Sequence, residues 1–172
     1  MLLKDICDFK NGKNCKSLSK GSIPLIGSIG KIGCVDQILI SENCCVIARV
    51  GANCGFVQYI NFPCWISDNA IICTSKNVDL KYLYYLLSKT DINSLKTGGA
   101  QPLITSEILG SINIEVPNLP TQQHIVDYIK GNKYFSLISY FLFNSSIILY
   151  LAPLLIIISS IKPLFNHLGT ST

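Results

Sequence analysis

The charged residues of this 172-residue chain lie almost entirely before residue 134, and this boundary limits what the chain can fold into. Twenty-three of the 24 Asp, Glu, Lys and Arg residues precede Tyr134, and only Lys162 follows it. The 28 residues 134–161 carry no charge. The chain therefore changes character near Lys133, and we interpret residues 134–172 separately as a hydrophobic tail.

The composition of the whole chain indicates a folded protein. Apolar residues make up 49% of it and charged residues 14%, which excludes intrinsic disorder as a general description. The length suffices for one domain with a hydrophobic core but is short for two. The formal net charge of +4 permits an anionic partner without requiring one. Arg49 is the only arginine.

Eight cysteines raise the question of disulfides or a metal site. The first residues lack the apolar segment of a secretory signal, so we expect reduced thiols. The chain has no C-x-x-C pair and only two histidines, so we expect no metal site. Several cysteines are expected to fill small apolar positions in strands.

The first half of the chain predicts strands and one helix. Residues 1–75 contain short runs rich in β-branched and aromatic residues, separated by Gly and Asn, which favours a mixed or antiparallel sheet over β-α-β units. Residues 77–91 have helical periodicity, with Asn77 or Asp79 able to cap the start. The predicted apolar stripe of this helix is Leu80, Leu83, Tyr84 and Leu87.

The segment after this helix alternates between short elements. Thr105 or Ser106 can cap a single helical turn that ends at Gly110. Strict alternation in residues 111–116 predicts a half-buried strand. A helix then begins at Pro120 and Thr121, with Ile125, Val126 and Ile129 on one face. The predicted fold class is α+β: a strand-rich mixed sheet with a packed helix, followed by an outgoing C-terminal helix.

Three glycine-containing segments are candidates for ligand contact. GSIGKIG, residues 27–33, lacks the spacing of a phosphate-binding loop, so a tight, bulged loop between strands is favoured. RVGANCG, residues 49–55, fits either a surface arginine beside a hairpin turn or an Arg and an Asn that contact DNA bases. KTGGAQP, residues 96–102, fits either a flexible connector or a set of phosphate and base contacts. No catalytic triad or nucleophile motif occurs, and we expect no catalytic residues.

The order of five segments resembles one family. They follow one another as in the target recognition domain of the type I restriction-modification DNA specificity subunit. They read LKDICDFKNGK, then GSIPLIGSIGKIGCVD, then CCVIARVGANCGFVQYI with CWISDNAIIC, then VDLKYLYYLLS, then LKTGGAQPLITSEILGSINIEVPNLPTQQHIVDYI. The resemblance extends from Leu3 to about Ile129. Each motif is weak alone, but five in this order make a specific signal, and the closing segment, from Gly98-Gly99-x-Gln101-Pro102 through the helix start after Pro120, is the most telling.

The resemblance implies a non-catalytic domain that reads one half of a bipartite target in double-stranded DNA. It implies residues 1–120 as the target recognition domain and 121–133 as the start of a spacer and dimerisation helix. The chain itself would need no cofactor, although the methyltransferase subunits that such a protein docks use S-adenosylmethionine. Through them it would reach the restriction subunit, and a homodimer or a second half-subunit would complete the reader.

The resemblance also implies site residues. The expected DNA-binding residues are Lys13, Lys16, Lys31, Arg49, Asn53, Thr97, Gly98, Gly99 and Gln101. The expected subunit-interface residues are Gln123, Ile125, Val126 and Ile129.

The chain departs from the family pattern in carrying one recognition domain where two are usual, and in its tail. Residues 134–161 are long enough for a transmembrane helix, but a buried oligomerisation segment and a truncated or frameshifted sequence also fit. A cytoplasmic DNA-binding protein is the first expectation. A small membrane-associated protein with a soluble binding domain is the alternative.

Overall fold

The computed structural model describes residues 1–97 and 102–144, of which 133–144 are described as helical backbone alone. The chain divides into two compact units, Met1–Val126 and Asp127–Thr172. The described strands are β1 Cys7–Asn11, β2 Ile23–Ile26, β3 Lys31–Val35, β4 Cys44–Ala48, β5 Val57–Ile60, β6 Trp65–Ile66 and β7 Ala70–Ser75. The described α-helices are α1 Leu3–Ile6, α2 Leu80–Lys89, α3 Ser106–Gly110 and α4 Leu119–Asn144, and a 3₁₀ turn spans Ile92–Leu95.

The strands form two sheets within the first unit. One has four antiparallel strands in the order β1-β7-β4-β5. The other has the order β3-β2-β6, in which β2 and β3 are antiparallel and β2 and β6 are parallel. The prediction of mixed or antiparallel strands in an α+β fold is confirmed.

Strand β4 lies at the centre of the larger sheet and is buried along its whole length. Its side chains alternate between the two faces, as the strand period of two requires. Cys45 and Ile47 belong to a core cluster that also contains Leu3, Leu83 and Leu109 from the helices. Cys44 and Val46 belong to a second cluster that contains residues of β2 and β6. Helices therefore cover one face of the four-stranded sheet, and the smaller sheet covers the other.

The cysteines occupy the positions expected from their small apolar side chains. All eight are free thiols; six are buried and Cys15 and Cys34 are half-buried. Five of them lie within strands β1, β3, β4 and β7. The prediction that several fill apolar strand positions is confirmed.

Two predicted helical segments have the expected caps. The Asp79 carboxylate accepts a hydrogen bond from the Tyr82 N–H at 2.8 Å and starts α2. The Thr105 hydroxyl oxygen accepts one from the Ile108 N–H at 3.3 Å and starts α3. Each side chain satisfies a backbone donor that the first helical turn leaves free.

The strand predicted for residues 111–116 is wrong. Burial alternates there as expected, with Ile114 buried and Asn113 and Glu115 exposed. Among the residues that the structure describes, however, the backbone of this segment forms a single bridge, between Leu2 and Asn113. The partner segment is too short for a ladder because α1 begins at Leu3, directly after that bridge.

The last described helix begins in the first unit. The Asn118 side-chain oxygen accepts a hydrogen bond from the Thr121 N–H at 3.0 Å at its start. Val126, 1% exposed, belongs to the core cluster under the four-stranded sheet. In the second unit, the Lys130 ammonium lies 3.6 Å from the Asp127 carboxylate.

The candidate membrane segment, residues 134–161, lies mostly outside the described residues, the last of which is Asn144. Within the part of the chain that is described, no helix has both the length and the apolar character that crossing a bilayer requires.

Candidate nucleic-acid interface

Several loops meet at one edge of the four-stranded sheet, which we name the loop edge. The register pairs Asn11, the last residue of β1, with Ile71 near the start of β7. It pairs Ala48, the last residue of β4, with Ala70. It also pairs Ile47 with Val57, the first residue of β5. The loops 12–22, 49–56 and 67–69 therefore leave or enter the sheet at the same edge.

Residues 67–69 connect the neighbouring loops. The Asn69 carbonyl accepts hydrogen bonds from the Arg49 N–H at 3.1 Å and from the Ser28 hydroxyl at 3.2 Å. The Asp68 carboxylate accepts one from the Asn14 side-chain amide at 3.3 Å. The Ser67 N–H donates to the Ile26 carbonyl at 2.9 Å. This segment thus brings the loop after β1, the β2–β3 turn and the loop after β4 together.

Residues 27–30 form a turn between β2 and β3 that the side chain of Gln58 holds. The Gly30 N–H donates to the Gln58 side-chain oxygen at 2.6 Å. The Gln58 amide nitrogen donates to the carbonyls of Gly27 and Ser28, each at 3.0 Å. The register of β2 and β3 shifts between Leu25 and Ile26. The prediction of a tight, bulged loop is confirmed.

The loop after β4 is bonded to the segment that follows residue 101. The Arg49 carbonyl accepts a hydrogen bond from the Ile104 N–H at 2.8 Å, and the Gly51 N–H donates to Pro102 at 3.2 Å. Thr97 and Leu103 exchange two backbone hydrogen bonds of 2.9 and 2.8 Å. Residues 49–51 and 102–104, which are distant in the sequence, are therefore joined at the loop edge.

Arg49 is half-buried, and its charge interacts with the Glu107 carboxylate. Among the described residues its buried Nε has no hydrogen-bond partner. The pKa of the Glu107 carboxyl is lowered because it accepts hydrogen bonds from the Thr105 hydroxyl and its own backbone N–H, with a further contribution from the Arg49 charge. Glu107 therefore lies close enough to Arg49 for their charges to interact.

The structure brings most of the predicted DNA-binding residues to this edge. Lys13, Lys16, Lys31, Asn53 and Thr97 are exposed in or beside the loops described above. Gly98, Gly99 and Gln101 lie outside the described residues. The DNA-binding role of all nine stays a prediction.

Charge differs between the loop edge and the opposite end of the sheets. Lys13, Lys16, Lys31, Arg49 and Lys96 lie at or beside the loop edge, together with the acidic residues Asp68, Asp91 and Glu107. The opposite ends of the strands are flanked by Asp5, Asp8, Asp36, Glu42 and Asp79, together with Lys4, Lys20, Lys76 and Lys81, and Lys76 forms an ion pair with Asp8 at 3.1 Å. The loop edge is therefore the end at which a polyanion would meet the weaker repulsion.

The predicted subunit-interface residues differ in exposure. Gln123 is exposed and Ile129 is half-buried. Val126 is buried and Ile125 packs against the same core cluster. Val126 and Ile125 thus contact the core of their own domain, and the interface role of the four residues stays a prediction.

Sequence reasoning missed Gln58 and Gln122. Gln58 shares a face of β5 with Ile60, which packs between the sheets, so a polar residue at an apolar strand position was the available signal. Gln122, 2% exposed, accepts a hydrogen bond from the Asp79 N–H and donates one to the Pro117 carbonyl. The available signal was helical spacing, because Gln122 lies three, four and seven residues before Ile125, Val126 and Ile129 and therefore on the predicted apolar face of the helix.

Within the residues the structure describes, no group of three or more His, Cys, Asp or Glu side chains could hold a metal ion. One cavity at the loop edge, of about 310 Å³, is open to solvent and is lined by residues that include Asn53, Phe56 and Asp91. The geometry there suits contact with a large surface better than enclosure of a small molecule.

Solved structures with the same fold come from type I restriction-modification systems. The S subunit from M. genitalium matches with a TM-score of 0.68 and 18% identity, over 76% of this chain and 37% of that one. A structure of a type I R-M system, described for its complex assembly and conformational transition, gives 0.60 and 19%, over 78% and 37%. The HsdS subunit from Thermoanaerobacter tengcongensis gives 0.58 and 17%, over 85% and 39%. The chain spans less than two fifths of the length of each.

No curated protein sequence matches this chain. A family model described as the type I restriction modification DNA specificity domain matches residues 1–139, which include both sheets, helices α1 to α3 and the whole loop edge. This chain therefore belongs to the family of type I restriction modification DNA specificity domains.

Proposed function

We propose that this chain reads one half of a bipartite target in double-stranded DNA with its loop edge. The observation that carries the proposal is the convergence of loops 12–22, 27–30 and 49–56 at one sheet edge. They place Lys13, Lys16, Lys31, Arg49 and Asn53 together. Lysines suit contact with phosphates, whereas Arg and Asn are the side chains best matched to guanine and adenine edges.

The domain contributes recognition and no chemistry of its own. It directs a methyltransferase subunit in the cytoplasm and, through that subunit, a restriction subunit. The family assignment supports this division of roles. A homodimer, or a pairing with a second half-subunit, supplies the other half of the reader, with Gln123, Ile125, Val126 and Ile129 as the proposed contact residues.

DNA binding by the full chain at several salt concentrations tests the role of the lysines. Each phosphate contact adds about 0.9 to the slope of log K against log salt concentration. Lys13→Ala and Lys16→Ala are therefore expected to weaken binding to all sequences and to reduce the slope. Lys20→Ala is the matched control because Lys20 is also exposed, but it lies at the far end of loop 12–22, where the adjacent Gly21 packs against Val35 and Asp36 at the opposite end of β3. Equal effects of all three changes would contradict the assignment.

Arg49→Ala tests base recognition. If Arg49 makes a bidentate contact with a base, the change costs roughly 1–3 kcal/mol of binding free energy and relaxes one position of the target. Unchanged affinity and selectivity in a variant with normal thermal stability would refute the role of Arg49.

Methylome mapping with and without the gene tests the wider function. Loss of one methylated motif on deletion is the expected result. A motif with two identical, inverted halves indicates a homodimer, and one with two different halves indicates a second half-subunit. An unchanged methylome would contradict the proposed partnership with a methyltransferase.

A further inference from the structure

A large apolar side chain is exposed at the tip of the β2–β3 turn. Ile29 is 50% exposed at the centre of residues 27–30. Two other large apolar residues, Ile32 at 58% and Phe56 at 48%, are exposed near the same edge. Single exposed apolar residues are common on protein surfaces, so the exposure of Ile29 alone indicates no function.

The side chain of Gln58 replaces the hydrogen bond that closes an ordinary β-turn. In a closed β-turn the N–H of the fourth residue would donate to the carbonyl of the first. Here the Gln58 amide stands between those two groups, accepting from the Gly30 N–H and donating to the Gly27 carbonyl. Gly30 has φ of +63°, a conformation that residues with a side chain rarely adopt. Because Gln58 lies on β5, the tip is fixed to the four-stranded sheet.

The tip has a second attachment. The Ser28 hydroxyl donates to the Asn69 carbonyl at 3.2 Å, and the same carbonyl accepts the Arg49 N–H at 3.1 Å. Ile29 is therefore presented by a turn held on both sides, in fixed relation to Arg49. Such preorganisation lowers the entropy lost when a side chain is ordered on binding.

The charged residues around the tip of the turn indicate a polyanionic partner. Lys31 follows the turn directly, and Lys13 and Arg49 lie in loops that are hydrogen-bonded to residues 67–69. An apolar tip among basic side chains suits duplex DNA, which offers apolar groups only within a polyanionic surface. The end of a two-stranded β-ribbon fits the major groove, where the thymine 5-methyl group is the apolar group on display.

We propose that Ile29 contacts a thymine methyl group in the major groove of the target and that Gln58 is its positioning residue. This inference rests on the proposed DNA-binding function. It assigns specificity at one base pair to two residues outside the predicted set of DNA contacts.

The test begins with selection of bound sequences from randomised duplexes by the full chain, Ile29→Ala and Ile38→Ala. Ile38 is the matched control because it is 51% exposed but lies beyond the end of β3 at the opposite end of the sheets. Ile29→Ala is expected to lose preference at a single T·A pair, and Ile38→Ala is expected to select the wild-type motif.

Replacement of that thymine by uracil then removes the methyl group alone. For the wild type, affinity is expected to fall about fourfold, as for loss of one buried methyl-sized group. Ile29→Ala is expected to bind the two duplexes equally, and Ile29→Val to retain part of the difference. Gln58→Ala is expected to reduce the thymine-to-uracil ratio while binding to random duplex is kept, which a merely destabilised fold would not produce.

The outcomes distinguish a failure of the Ile29 contact from a failure of the proposed DNA-binding function. If the wild type selects no motif, the proposed DNA reading fails. If the wild type selects a motif and Ile29→Ala selects the same one, the inference fails and DNA reading stands. If Ile29→Ala loses the preference but uracil has no effect on the wild type, Ile29 acts on the base step and the methyl contact is overturned.

Discussion

The side-chain oxygen of Gln122 accepts a hydrogen bond from the backbone N–H of Asp79 at 2.8 Å. The same side chain donates to the Pro117 carbonyl at 2.7 Å. Gln122 lies in the first turn of α4, whereas Asp79 caps α2. One buried side chain thus satisfies backbone groups that precede two different helices.

Gln122→Ala is expected to destabilise the domain by about 2 kcal/mol, because it leaves two partly buried backbone groups without partners. Urea denaturation followed by circular dichroism measures the loss. The exposed neighbour His124 provides the control, and His124→Ala should stay within about 0.5 kcal/mol of the wild type. Equal stabilities of the two variants would show that Gln122 does not tie the helices together.

Gly12→Ala is expected to destabilise the loop edge. A Cβ on Gly12 would overlap the carbonyl oxygen of Ser67, which is backbone and cannot rotate away. Overpacking of this kind costs about 1–3 kcal/mol. Because Gly12 precedes Lys13, displacement of the loop should also weaken DNA binding.

Gly33→Ala is the matched substitution for Gly12→Ala. A Cβ on Gly33, in β3, would meet only the Leu25 side chain at 3.9 Å, an ordinary contact. We expect this change to leave the midpoint of thermal unfolding unchanged or slightly raised. A larger loss for Gly33→Ala than for Gly12→Ala would disprove the close approach of loops 12–22 and 67–69.

Much of the fold was predictable because its determinants are local. The Asp79 and Thr105 caps follow from residues within one helical turn of each other. The predicted stripe of α2 is correct for the buried Leu83 and Leu87 and the half-buried Leu80 and Tyr84, but it missed Tyr82, which is also buried. The failure at residues 111–116 has a non-local cause. Alternation predicts which side chains are buried, but a strand also needs a partner long enough to pair with it, and α1 removes that partner after Leu2.

The candidate interface was predictable only in part, for the same reason. Residue type singled out Arg49 and Asn53, since Arg and Asn suit base edges. The association of Arg49 with Ser28 through the Asn69 carbonyl depends on strand register, which brings together residues distant in the sequence. Gln58 in particular bonds to two turn carbonyls, those of Gly27 and Ser28, which are 31 and 30 residues away, and no local pattern encodes that contact.

Glu107→Gln is expected to strengthen DNA binding. The Glu107 carboxylate interacts with the Arg49 charge, so it competes with phosphates or base edges for the guanidinium and repels DNA directly. We expect affinity to rise about two- to fivefold at low salt, with a smaller gain at high salt because the exposed charge is screened. Fluorescence anisotropy with labelled duplex measures the change.

Glu115→Gln is the control for general repulsion. Glu115 is exposed next to Ile114, whose N–H donates to the Met1 carbonyl, so it lies away from the loop edge. The same loss of charge should there change affinity little. If both substitutions raise affinity equally, the effect of Glu107 reflects net charge and not its proximity to Arg49.

Stability is expected to fall at alkaline pH because buried thiols stay protonated in the folded state. Burial, with a smaller contribution from Cys64, raises the pKa of Cys44 from 9.0 to about 12. The unfolded thiol loses its proton near pH 9 while the folded one keeps it, so this stabilisation is complete below pH 9 and is lost progressively as pH rises towards 12. The slope is about 1.4 kcal/mol per pH unit for each such thiol. Urea midpoints under reducing conditions between pH 8 and about 10.5 measure this slope.

Cys44→Ala should make the slope of stability against pH shallower. Val46→Ala, which truncates the same face of β4 without removing a thiol, should lower stability equally at every pH. Parallel slopes for the two variants would show that Cys44 does not account for the alkaline loss.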